Sequence, residues 1–160
     1  MRPTTLAASI VALSLLAPSI LSADATAKPA APAAKPAVSA KEADHITIQH
    51  LLIGFTGSVP GKNITRTQDE AKKLADEILA RAKKGENFDA LVKKYTDDAA
   101  PGIYSMANNG VQPAQGEYAR AGVVPAFGDA GFPLQVGEFG MASYDKTRSP
   151  YGWHIVKRIK

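Results

Sequence analysis

The sequence contains no cysteine, and this one absence removes several chemistries. Thiolate metal centres, disulfide scaffolds and cysteine nucleophiles are excluded. A chain without free thiols is suited to an oxidising compartment, where an unpaired thiol is a liability. Clustered positive charge is also missing. The 19 Lys and Arg residues outnumber the 15 Asp and Glu residues, but the lysines are scattered through helix and linker rather than gathered on one face. A nucleic-acid footprint needs a patch, so no nucleic-acid partner is expected. Long apolar runs are scarce. Leu6 to Leu21 is shorter than the ~20 residues a membrane-spanning helix requires, and Pro18 interrupts its end. Metal-ligand spacing is lacking too: His45, His50 and His154 do not fall in register with acidic residues. No metal and no cofactor are expected.

The first 27 residues show the pattern of an export signal. Arg2 supplies a positive start, the apolar run follows, and Ala23-Asp24-Ala25 and Ala25-Thr26-Ala27 offer overlapping small-residue cleavage sites. Residues 1–27 are read as a signal peptide, with the mature chain beginning near Thr26 or Lys28. The competing reading is an uncleaved anchor. With no cysteine after the run, a lipid anchor is not expected. Cleavage would leave an extracytoplasmic protein, periplasmic or secreted, without stable membrane insertion. Residues 28–44 are rich in alanine, proline and lysine, with almost nothing to bury, and read as an extended, exposed linker. Residues 45–160 suffice for one globular domain.

Within that domain the periodicities are legible. Ile46 to Ile53 alternates as a strand, with Ile46, Ile48, His50 and Leu52 on one face and Thr47, Gln49, Leu51 and Ile53 on the other. Thr67 with Glu70 makes a capping box. The spacing of Ala71, Leu74, Ala75, Ile78, Leu79 and Ala82 predicts an amphipathic helix ended by Gly85. Asn87 caps a shorter helix bearing Phe88, Leu91, Val92 and Tyr95. Residues 99–122 form a long irregular connection, with a possible short strand near Ile103 to Met106, and loops of this length are usually functional. Pro125 suits a first helical turn. Glu138 to Tyr144 and the segment after Gly152 read as strands. The order predicts an α+β fold, a small antiparallel sheet of about four strands with helices packed around it.

The first and last strands each carry one histidine, His50 and His154. In a small domain such strands lie most easily side by side at the sheet centre, where the two imidazoles would meet. They either buttress the sheet or take part in chemistry. Asp98 either caps a turn or joins them, and Phe127 and Phe132 are either core or pocket.

Six segments in order carry a family resemblance: His-Leu-Leu-Ile from His50; Gly-Glu-Asn-Phe from Gly85; Lys-Tyr-Thr-Asp-Asp ending at Asp98; Val-Val-Pro-Ala-Phe from Val123; Phe-Pro-Leu-Gln-Val-Gly-Glu from Phe132; and Ser-Pro-Tyr-Gly-Trp-His-Ile-Val from Ser149. Together they resemble the parvulin-type peptidyl-prolyl cis/trans isomerases, the PpiC or rotamase family. The resemblance implies action on X–Pro bonds, with proline-containing peptides or unfolded exported proteins as partners and a monomer as the working unit. It implies a polar set of His50, Asp98, His154 and Ser149, and a proline pocket of Val123, Phe127, Phe132 and Tyr118. The Gly-Gly-Asp-Leu-Gly run of many members is absent, leaving Ile103, Tyr104 or Met106 to replace its leucine. One subgroup reads phosphate through basic residues in the loop after the first strand. Those positions are here Gly54, Val59 and Pro60, while Lys62 and Arg66 lie further along, with Arg66 expected to face solvent. No preference for phospho-Ser/Thr-Pro is implied. An enzyme that assists folding and a non-catalytic peptide-binding module both remain compatible with the resemblance.

Overall fold

A computed structural model describes residues 41–160; the signal-peptide reading and nearly all of the linker fall outside the described residues. Five strands, β1 (His45–Ile53), β2 (Ile103–Ala107), β3 (Tyr118–Ala119), β4 (Phe139–Ala142) and β5 (Trp153–Arg158), form one sheet in the order β3-β2-β1-β5-β4. Three helices, α1 (Gln68–Lys83), α2 (Phe88–Tyr95) and α3 (Pro125–Gly131), cover it, and a 3₁₀ turn spans Arg120–Gly122. The α+β architecture agrees with expectation. Two details differ: there are five strands rather than about four, and β3 runs parallel to β2 in an otherwise antiparallel sheet. At two residues inside a Gly- and Pro-rich connection, β3 is too short to leave an alternating pattern in sequence.

Alternation along β1 builds two cores. Leu51 and Ile53, with Trp153 and Ile155 of β5, pack under α1 and α2 against Ala75, Ile78 and Leu91. Ile46 and Ile48, with Met106 and Val156, pack against Phe127 and Phe132 from the α3 region. Ile48, Leu51, Ile53, Ile78 and Ile155 are fully buried, each side chain stabilising the fold by about 1.5–3 kcal/mol. The capping box forms: Glu70 N–H donates to Thr67 Oγ1 at 3.2 Å, and Thr67 N–H donates to Glu70 Oε2 at 2.7 Å.

Gly152 is required where the last turn enters β5. Its φ is +137°, and a Cβ there would sit 2.1 Å from the Ile53 carbonyl oxygen. Arg66 departs from expectation. Rather than facing solvent, it donates to the Gly54 carbonyl at 3.0 Å and pairs with Asp97, tying the loop after β1 to the segment that carries Asp98. The largely covered carboxylate (the Asp97 side chain is 13% exposed) gives the guanidinium a partner that sequence spacing does not reveal.

Candidate active site

The β1–β5 register places His50 opposite Val156 and His154 opposite Leu52. The two histidines are therefore diagonal neighbours on one face. Their rings stack at 5.5 Å with Nδ1 atoms 3.3 Å apart, and both are buried. One Nδ1–H must donate to the other Nδ1, so at least one ring is neutral. Burial first, and then the neighbouring His50, push the His154 imidazole down to about 3.

Asp98 closes the row, with Oδ2 3.2 Å from His50 Nε2. That contact is within ion-pair range but off the line of a hydrogen bond. Nε2 of His50 and Nε2 of His154 thus have no hydrogen-bond partner among the described residues. The His50 imidazole holds the Asp98 carboxyl at about 2, well below the usual carboxylate range. A carboxylate beside His50 Nε2 favours a proton on that nitrogen. His50 Nδ1 then accepts from His154 Nδ1–H, and His154 Nε2 is left with a lone pair.

Local backbone bonding positions Asp98. Thr96 Oγ1 accepts from the N–H groups of Leu52 and Asp98, both at 3.2 Å. Asp97 N–H donates to the Leu52 carbonyl at 2.9 Å, and its carboxylate accepts from Gly54 N–H at 2.8 Å. The following turn docks on β1 through His50 N–H to the Gly102 carbonyl at 2.8 Å.

Above this row lies a cavity of about 440 Å³, within the range of small-ligand sites. His50, Asp98 and His154 line it together with Val123, Phe127 and Tyr118. The Phe127 ring meets His50 edge-on at 5.0 Å and His154 at 5.5 Å. Six of the eight residues singled out from sequence are thus brought together.

Two are not. Phe132 is fully buried in the second core, beneath the Arg120 guanidinium, and it does not line the cavity. Ser149 is fully buried, and its hydroxyl donates to the Gly152 carbonyl at 2.9 Å rather than to a histidine. It shapes the turn into β5.

Leu52, Gly122, Val124 and Tyr151 also line the cavity and carry no sequence signal for it. Val59 and Pro60, named from sequence only as positions that cannot read phosphate, line it too, as does Tyr104, one of three candidates there. Tyr104 takes the place open on β2, since Ile103 is half exposed and Met106 is fully buried. The Tyr104 ring packs edge-on against His50 at 5.1 Å and Phe127 at 5.6 Å, and its hydroxyl donates to Asp98 Oδ2 at 3.5 Å. Burial, and then Asp98, raise the Tyr104 phenol above its usual range. Pairing of Tyr104 with Ile48 puts it on the Ile48–His50 face, a signal open only once the strand partner is known.

Comparison with known proteins adds independent findings. Residues 34–159 match the family model described as the PPIC-type PPIase domain. The chain is 32% identical over 129 residues to the foldase protein PrsA of Bacillus subtilis, covering 80% of this chain and 38% of that protein. It is 32% identical over 110 residues to the chaperone SurA of Chromohalobacter salexigens, covering 69% of this chain and 21% of that protein. The chain thus spans about a fifth to two-fifths of the length of these relatives. In fold it is similar to the peptidyl-prolyl isomerase ESS1 from Candida albicans, with a TM-score of 0.57 at 24% identity over 73% of this chain and 63% of that one. It is likewise similar to TbPIN1, with a TM-score of 0.54 at 22% identity over 73% of this chain and 98% of that one.

Proposed function

This chain belongs to the PPIC-type peptidyl-prolyl isomerase family, and on that premise we propose that its domain catalyses cis/trans isomerisation of X–Pro bonds in unfolded or exported proteins. The observation that carries this reading is a single ionised carboxylate, Asp98, facing an apolar cavity from a buried histidine pair. The barrier to amide rotation, ~18–20 kcal/mol, comes from resonance, while cis and trans X–Pro differ by only about 0.5–1 kcal/mol. The enzyme needs only to favour the twisted bond over both planar ones.

Resonance in the planar amide places partial negative charge on its oxygen, and twisting withdraws it. A carboxylate beside that oxygen disfavours the planar forms more than the twisted form. Val123 and Phe127, with Tyr104, supply an apolar surface for the proline ring, and a ring seated there displaces water from the part-exposed Asp98, which then acts more strongly than it does in water. The His50–His154 pair keeps the carboxylate ionised and in place. No covalent step is needed.

The cavity lining among the described residues holds no lysine or arginine. Phosphate recognition rests on charge-assisted contacts from basic groups, so the proposed specificity is broad acceptance of X–Pro without phospho-Ser/Thr preference. The proposed setting is extracytoplasmic, supported by the export-signal pattern of residues 1–27. There the domain would work as a monomer, since one copy supplies the whole cavity. Among the described residues no helix is long and apolar enough to cross a membrane.

The test is refolding of a model protein whose slow phase is limited by prolyl isomerisation. Catalytic amounts of the full chain should accelerate that phase in proportion to their concentration. An unchanged slow phase, with the unfolded protein still bound, would overturn the catalytic reading in favour of a peptide-binding module.

A further inference from the structure

One cavity wall, from the 3₁₀ turn into α3, is bonded through its backbone at Phe127 N–H to the Val124 carbonyl at 2.9 Å and at Ala126 N–H to the Arg148 carbonyl at 3.1 Å, but less well at its Val123 end. Val123 N–H reaches the Arg120 carbonyl at only 3.4 Å, and neither the 3₁₀ turn nor α3 has a side-chain cap. At that end the wall is held by the side chain of Arg120, only 14% exposed. Its guanidinium donates to Glu42 Oε2 at 2.6 Å, Asn108 Oδ1 at 2.8 Å and Asp129 Oδ1 at 2.8 Å. It also lies 4.6 Å over the Phe132 ring. Its aliphatic stem crosses Gly128, where a Cβ would come within 3.0 Å of Arg120 Cγ. Asn108 is anchored in turn, donating to the Ala43 carbonyl at 3.1 Å, with its N–H on the Asp44 carbonyl at 2.8 Å. One side chain thus joins the segment entering β1, the end of β2, and α3, three residues before Val123.

Resting on the proposed isomerase reading, we propose that Arg120 is a positioning residue for the proline-binding wall, through which the chain entering β1 at Glu42 sets the spacing of Val123 from Phe127. Three acceptors lie in a fork that only a guanidinium spans. Loss of the Glu42 arm frees one side of that fork and lets the wall relax outward, without touching Asp98 or the histidines. Such a change weakens ground-state and transition-state binding together, so it raises KM and leaves kcat nearly unchanged.

The experiment uses the full chain with Arg120→Gln, Arg120→Lys and Glu42→Ala. Affinity for an Ala-Pro peptide, exchange kinetics and the valine methyl NMR shifts are read well below each variant's Tm. Glu42→Ala should keep its Tm within a few degrees yet weaken peptide affinity by about threefold, and Arg120→Gln by about tenfold. Arg120→Lys keeps the charge but not the fork and should not restore affinity. The Val123 and Val124 methyl resonances should shift in all three variants. Unchanged affinity and methyl shifts in Glu42→Ala, or full restoration by lysine, would overturn the proposal even if Tm falls. Should Arg120→Gln fail to fold, Glu42→Ala decides alone. A wild type that binds peptide but does not speed exchange defeats the isomerase reading, while affinity and methyl shifts still report on Arg120.

Discussion

Lowering the pH from 7 to 5 should destabilise this domain through His154. The folded state holds that imidazole at about 3, against an ordinary value of 6.5, chiefly because it is buried. The neutral form is therefore favoured by folding. Its contribution is fully present above the unfolded pKa and is lost as pH falls through 6.5 toward the folded value. In that window the unfolded chain binds one proton more than the native state, so stability falls by about 1.4 kcal/mol per pH unit. Between pH 7 and pH 5 the loss sums to about 2 kcal/mol, a large part of the 5–15 kcal/mol that holds a typical domain. The carboxylates with lowered values, Glu70, Glu86, Asp98, Glu117 and Asp145, start from 3.8 or 4.5, so their contributions are lost at lower pH. Urea titrations at half-unit pH steps, with m checked for constancy, give the slope. His154→Leu lacks the ionisable group and should flatten it. Equal slopes in wild type and His154→Leu would refute the assignment of acid sensitivity to this residue.

Asp98→Ala should slow isomerisation by about 10–100-fold while costing less than about 1 kcal/mol at neutral pH, since a side chain 40% exposed is largely screened; exchange rates and urea midpoints check both. That small contribution exists above the unfolded carboxyl value and is lost as pH falls from 3.8 toward 2. Gly152→Ala should destabilise the domain by more than about 3 kcal/mol, because the Ile53 carbonyl occupies the Cβ position; a Tm within a few degrees of wild type would contradict this. Ser-Pro and phospho-Ser-Pro versions of one peptide should show no gain in kcat/KM for the phosphopeptide. A clear gain that disappears in Lys62→Ala would assign phosphate reading to the loop after β1.

How much of this was legible depended on range. The period-3.6 apolar face of α1, its Thr67–Glu70 cap and the alternation of β1 are local, and each is found within a residue or two of its expected bounds. The meeting of His50 with His154 was legible because two β-branched strands with one histidine each have few ways to share a small sheet. Tyr104 was undecided because its orientation depends on the β1–β2 register, which no local pattern encodes. Arg66 is expected to face solvent from sequence because its partner Asp97 lies 31 residues on, in the bend after α2. Phe132 and Ser149 have suitable side chains, but burial turns one into core and the other into a turn staple. Chemistry-bearing residue types can be read from sequence; which of them face a common cavity is decided by packing between elements.

The central claim, that the Asp98-lined cavity lowers the barrier to X–Pro rotation, is tested most directly by two-dimensional exchange NMR on a short Ala-Pro peptide with catalytic amounts of the full chain. Cis/trans exchange cross-peaks should appear at mixing times where the free peptide gives none, and they should weaken sharply in Asp98→Ala with no loss of peptide affinity. Peptide binding with no exchange cross-peaks in wild type, or equal cross-peaks in Asp98→Ala, would contradict the account.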